Sequence, residues 1–250
     1  MINKKSQQGA TLIVVLIVVL LVIIIGTLAI RQSLLSLNIA TNGQAQQLML
    51  QSSDAPLVKI QDPVYLSFNL TQNGVIGYAL DHIGKEVVFC FRGTQSTFFD
   101  ISKISLMKWQ SGQTSPNGTE LGTQGYCSVS TSVNNYTSGR QAVMTQITVL
   151  VPDDTQLNNN TTPFENMLIG TDSQVVQLKE SKTVIVHTVS FMPALSQASA
   201  TSINNCLSGR VSTIPTNQTG QTVSQCLAAL NVPYSTQVIQ YNSTKSITST

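Results

Sequence analysis

From Ala10 to Ile30 the chain carries twenty-one consecutive residues without a charge, ATLIVVLIVVLLVIIIGTLAI. Wound as an α-helix at about 1.5 Å per residue, that run spans about 30 Å, the hydrocarbon thickness of a bilayer. Lys4 and Lys5 precede it and Arg31 closes it. Basic residues ahead of a first span hold the N-terminus in the cytoplasm and send the remainder across the membrane. The expected organisation is a leader peptide at residues 1–9, the transmembrane part of an N-terminal helix at 10–30, its soluble part at 31–55, and a periplasmic head at 56–250.

The leader is not that of an ordinary secreted protein. A secretory signal has an apolar region of about 7–15 residues with a small-residue cleavage site after it. Here the apolar run is longer, and the small residue, Gly9, stands before it at the end of the polar stretch MINKKSQQ. This order suits a peptidase that cuts between basic leader and membrane, after Gly9, leaving Ala10 as the new N-terminus. An uncleaved signal anchor is the competing arrangement.

The segment Lys4-Lys5-Ser6-Gln7-Gln8-Gly9-Ala10-Thr11-Leu12-Ile13-Val14 resembles the class III leader of type IV pilins and pseudopilins. It is most similar to that of the PilX-type minor pilins. The polar stretches Gln44-Ala45-Gln46-Gln47-Leu48 and Gln51-Ser52-Ser53-Asp54-Ala55 match the family's Gln/Ala-rich helix continuation. Beyond Pro56 no resemblance is seen. The resemblance implies cleavage by a prepilin peptidase, N-methylation of Ala10, and a pilin-like head. It also implies partnership with other minor pilins, the major pilin and a pilus tip adhesin, first in the inner membrane and then in a pilus at the cell surface. Pilus assembly, twitching motility, adhesion and DNA uptake are the functions that follow. The family's usual Glu at the fifth mature position is replaced by Val14, a departure shared with PilX-type and tip pseudopilin proteins.

Charged residues make up only 10% of the chain, with a formal net charge of +2. Loss of Lys4 and Lys5 with the leader reduces Lys+Arg from 13 to 11, equal to Asp+Glu at 11. A mature chain so balanced offers no electrostatic footprint for nucleic acid.

All four cysteines, Cys90, Cys127, Cys206 and Cys226, follow the span. An even number in an exported domain reads as disulfides. Three connectivities exist; Cys90–Cys127 with Cys206–Cys226 is favoured because sequence-local pairing crosses no other element. Zinc is the rival reading, but no C-x-x-C spacing occurs and His82 and His187 are isolated.

After the span, Leu34, Leu37, Ala45 and Leu48 make an intermittent apolar stripe, and no proline interrupts until Pro56, where the helix is expected to end. Gly26 and Gly43 are candidate bends. Val64–Leu70 alternates like a strand, Asn73-Gly74 reads as a hairpin turn, and Val75–Tyr78 as its return. Further strands are expected at Glu86–Phe91, Ile101–Leu106, Ala142–Val151 and Thr183–Phe191, a short helix at Gln221–Leu230, a surface loop from Pro152 to Pro163, and a loose tail from Tyr241. The fold class is α+β: a long membrane-spanning helix packed on a mainly antiparallel sheet with disulfides.

No catalytic constellation stands out, and the chain is expected not to be an enzyme and to need no cofactor. There is no Gly-x-Ser-x-Gly, and His187 alternates with Ile185 and Val189 as a packed strand residue does. Asp153-Asp154 is better read as a solvated loop than as a calcium site. Asn-x-Ser/Thr sequons such as those at Asn69, Asn117, Asn135, Asn160, Asn217 and Asn242 follow from a composition rich in Asn and Thr. The alternatives to a minor pilin are a tip pseudopilin of a type II secretion system and a signal-anchored periplasmic enzyme or adhesin.

Overall fold

The computed structural model describes residues 8–93, 95, 97–110, 113, 115–130, 135–153, 179–215 and 218–246. The chain divides into two units between Gln47 and Leu48. The first unit is the leading part of helix α1 (Gln8–Gln61), which runs without interruption through Gly26 and Gly43. Its apolar side chains from Leu12 to Ile30 are all exposed. Among the described residues, α1 is the one helix long and apolar enough to cross a membrane.

The second unit is built on a five-stranded sheet in the order β2-β1-β3-β4-β5. The strands are β1 (Glu86–Phe91), β2 (Ser105–Met107), β3 (Met144–Leu150), β4 (Lys179–Phe191) and β5 (Tyr234–Ser246), with every neighbouring pair antiparallel. Helices α2 (Pro63–Asn69), α3 (Val75–Asp81), α4 (Ala200–Gly209) and α5 (Val223–Ala229) complete it.

Alternation along the strands sorts their side chains onto two faces. Val87, Phe89, Ile147, Val149, Val184 and Val186 pack with Leu57 and Ile60 of α1 and with Val75, Ile76 and Ala79 of α3. On the other face Cys90, Met144, Val189 and Phe191 meet Ile203 and Leu207 of α4 and Val223 and Leu227 of α5. With helices on both faces, all seven residues of the central strand β3 are buried. That explains why MTQITVL is apolar or uncharged throughout.

Several expectations need correction. Pro56 does not end α1, which continues to Gln61 with the proline inside it. The strand expected at Val64–Leu70 is helix α2, started by Pro63 at its first turn and by Asp62, whose side chain accepts from the Val64 N–H at 3.0 Å. Proline with an Asp cap is a helix-start signal that outweighs the β preference of Val, Tyr and Phe. Asn73-Gly74 is not a hairpin, because α3 begins there. A Cβ on Gly77 would lie 1.9 Å from the Thr71 carbonyl oxygen, so glycine permits α3 to pass this close to the preceding chain.

The strand expected at Ile101–Leu106 is a 3-10 turn at Ile101–Lys103 followed by β2. The tail is ordered into β5 as far as Ser246, paired with β4 over thirteen residues. Helix α4 has no counterpart among the expectations. The loop expected at Pro152–Pro163 lies, from residue 154 onward, outside the described residues.

Candidate functional site

The residues expected to carry processing and assembly sit at the start of α1. Gly9 and Ala10 fall within its first turn, and Val14 is exposed. The leader before Gln8 lies outside the described residues.

The four cysteines form two bridges, Cys90–Cys127 and Cys206–Cys226, with Cα–Cα distances of 4.9 and 5.6 Å. The first ties β1 to the chain that follows β2; the second joins α4 to α5. Thr222 starts α5 with a reciprocal cap, its hydroxyl accepting from Gln225 N–H while the Gln225 side chain accepts from Thr222 N–H. Both bridges lie on the same face of the sheet, and Gln146 of β3 links the two segments. Its Oε1 accepts from Cys127 N–H at 3.1 Å and its Nε2 donates to the Leu207 carbonyl at 3.0 Å. The side chain is buried, so both bonds are made away from competing water.

A second polar cluster lies on that face. Glu86, the first residue of β1, is buried. Its carboxylate accepts from the backbone N–H groups of Ser212 (2.9 and 3.0 Å) and Thr213 (3.1 Å). Burial pushes its pKa up to about 7 despite those donors. His187 of β4 is held through Nε2 to the Thr213 hydroxyl at 2.9 Å, and burial moves its pKa down to about 4. Tyr126, beside Glu86, donates to the Gly118 carbonyl at 2.9 Å, and burial with the nearby carboxylate raises its pKa. A buried acid and a half-buried imidazole thus fasten Ser212 and Thr213 to the sheet, while the tyrosine ties the neighbouring Gly118. The histidine holds a threonine hydroxyl, and among the described residues no acid is hydrogen-bonded to its other nitrogen.

On the α1 face, Asn69 is buried and its amide donates to the carbonyls of Lys59 (3.4 Å) and Ile60 (3.2 Å) at the end of α1. Asn135 is also buried, accepting from Arg92 Nε at 2.6 Å and donating to the Ser128 carbonyl at 2.8 Å. These two sequon asparagines are therefore structural. Asn160 and Asn217 lie outside the described residues, as does Asp154 of the expected Asp153-Asp154 loop.

Among the described residues no three His, Cys, Asp or Glu side chains converge as a metal site would require. Glu86 and Gln146 were not singled out by the sequence reading. Glu86 had a signal, a lone charge on the strand phase it shares with Val88 and Cys90, whereas Gln146 stands among Thr145 and Thr148 and had none.

No protein-family model matches the chain, and neither known proteins nor solved structures show a significant match to it.

Proposed function

We propose that the chain is a structural assembly subunit, a PilX-like minor pilin that waits in the inner membrane and is later drawn into the tip or priming complex of a type IV pilus. The observation that carries this reading is α1: one 54-residue helix that begins as an exposed apolar segment and ends as a core element of an antiparallel sheet. An isolated membrane anchor has no need to continue as an unbroken helix into the fold of its head. The Lys-Lys-Ser-Gln-Gln-Gly9 leader adds a processing site where a prepilin peptidase cuts.

Val14 refines the reading. A carboxylate at that depth in a helix bundle is costly unless a cation neutralises it. In the pilin picture that cation is the free N-terminal amine of the subunit ahead, nearer the tip. A subunit with nothing ahead meets no such amine, and an apolar side chain there leaves no unpaired charge.

Intact-mass measurement of the membrane-extracted protein tests the class. Loss of residues 1–9 with a methyl group on Ala10 is expected; retention of Met1 in a piliated cell removes the pilin reading.

A further inference from the structure

The two edges of the sheet are unlike. At one edge β2 is three residues long and is followed by Lys108, whose backbone is taken up in a bridge to Asn117. At the other, β5 runs thirteen residues with no proline and a single charge, Lys245. Natural sheets blunt long edges with charge, proline or bulges, because the unpaired backbone recruits another strand. From Tyr234 to Asn242, β5 carries none of these devices.

The register tells which of its backbone groups are free. Met192 N–H donates to the Pro233 carbonyl at 3.1 Å, in line with the pairing of Phe191 with Tyr234. Antiparallel pairs alternate between those that exchange hydrogen bonds and those that do not. The odd-numbered residues Ser235, Gln237, Ile239 and Tyr241 therefore bond to β4. Tyr234, Thr236, Val238, Gln240 and Asn242 turn their N–H and C=O groups outward. The side chains of Thr236, Val238, Gln240 and Asn242 are also exposed. Among the described residues, no strand pairs with that outer edge.

We propose that a second copy of this chain occupies it, β5 against β5, antiparallel and centred on Val238. This register sets Val238 opposite Val238, Thr236 opposite Gln240 and Tyr234 opposite Asn242. All five outward-facing residues then fall on hydrogen-bonding pairs in both copies, as a twofold contact of one patch with itself requires. No like charges oppose each other, and β-branched and polar cross-strand pairs favour the contact. The blunt β2 edge stops further growth, so pairing ends at two copies joined in one ten-stranded sheet. The contact is independent of the pilus reading.

The test uses the full chain in detergent, with its mass followed by light scattering on a sizing column. A dimer is expected. Val238→Pro removes an outward N–H and leaves the β4 ladder intact; it is expected to give a monomer with unchanged circular dichroism. Val238→Lys sets two cations opposite each other and is expected to weaken the dimer at least tenfold. Mixing Val238→Lys with Val238→Glu copies is expected to restore it as a heterodimer. A monomeric parent chain overturns the proposal, as does a dimer indifferent to both the proline and the lysine, which would rest on α1 instead. Failure of the Lys and Glu copies to pair overturns the register.

Discussion

The hydroxyl of Thr145, on the central strand, donates to the Ser52 carbonyl of α1 at 3.4 Å. Ser52 lies four residues before Pro56, so its carbonyl is the acceptor that the proline, lacking an N–H, cannot supply with a helical donor. Since Thr145 spends its proton on Ser52, Ser190 Oγ, 2.7 Å away, must donate to Thr145. Ser52 Oγ and Thr137 Oγ1 stand 2.8 Å apart, and Thr137 donates onward to the Val143 carbonyl at 3.0 Å. The proline inside α1 thus creates an acceptor that the sheet fills, locking helix to strand by orientation as well as by packing.

Thr145→Val is expected to destabilise the head by about 2 kcal/mol, because it removes a buried donor and deprives Ser190 of its acceptor. In a Pro56→Ala background a helical N–H again reaches Ser52, and the same substitution is expected to cost about half as much. Urea unfolding of the four chains of this cycle checks it; equal costs in both backgrounds would disprove the link.

Glu86 and His187 make opposing demands on pH. Glu86 is raised from 4.5 to about 7, so the folded chain keeps a proton that the unfolded chain has released, and stability falls as pH climbs from 4.5 to 7. His187 is lowered from 6.5 to about 4, so the unfolded chain takes up a proton that the folded chain refuses, and stability falls as pH drops from 6.5 to 4. Each effect amounts to at most about 3 kcal/mol, less for the half-buried histidine. The slopes cancel between 4.5 and 6.5, where stability is expected to be nearly flat. Glu86→Gln should make stability rise with pH in that window and His187→Gln should make it fall, as read by melting temperature across buffers. Parallel slopes in the two variants would refute the opposition.

The two disulfides close stretches of 37 and 20 residues. In the chain-entropy treatment, loss of either lowers stability by about 3–4 kcal/mol, the longer slightly more. Cys90→Ser with Cys127→Ser, and Cys206→Ser with Cys226→Ser, compared by chemical denaturation, check the order. Non-reducing peptide mapping should recover both native links.

A photo-activated cross-linker placed at Val14 is expected to label neighbours on only one axial side of an assembled pilus. Labels on both sides, or labelled copies along the shaft, would end the distal-tip assignment.

What could be read from the sequence follows from how locally each element is determined. Glu86–Phe91 forms β1 over the expected residues, and Met144–Leu150 lies within the expected strand, since runs such as Val87–Phe91 and Met144–Leu150 without a charge suit strands covered on both faces. Helix α5 was legible from Val223, Cys226, Leu227 and Leu230 on one side of the expected Gln221–Leu230 helix. By contrast, α2 was missed because the strand-like alternation of Val64–Leu70 masked the local start signal of Asp62 and Pro63, and Asn69 then fixes it to the last carbonyls of α1. Helix α4 hides in a Ser/Thr/Asn-rich stretch, where Ile203, Cys206 and Leu207 were the available helical signal beside Ser199 as its cap. Strand β5 is polar on its exposed phase apart from Val238 and is defined by its pairing with β4. Pro56 misled because the donor that replaces its N–H comes from 89 residues further on, at Thr145.

The bridges Cys90–Cys127 and Cys206–Cys226 are consecutive along the chain, neither enclosing nor crossing the other. For a polypeptide whose residues become available in chain order, this is an arrangement in time. Cys90 meets its proper partner before either later thiol has appeared, and that first pair is already withdrawn from exchange when Cys206 and Cys226 arrive. Oxidation in order of emergence gives the native pattern directly, with no mispaired bridge to undo.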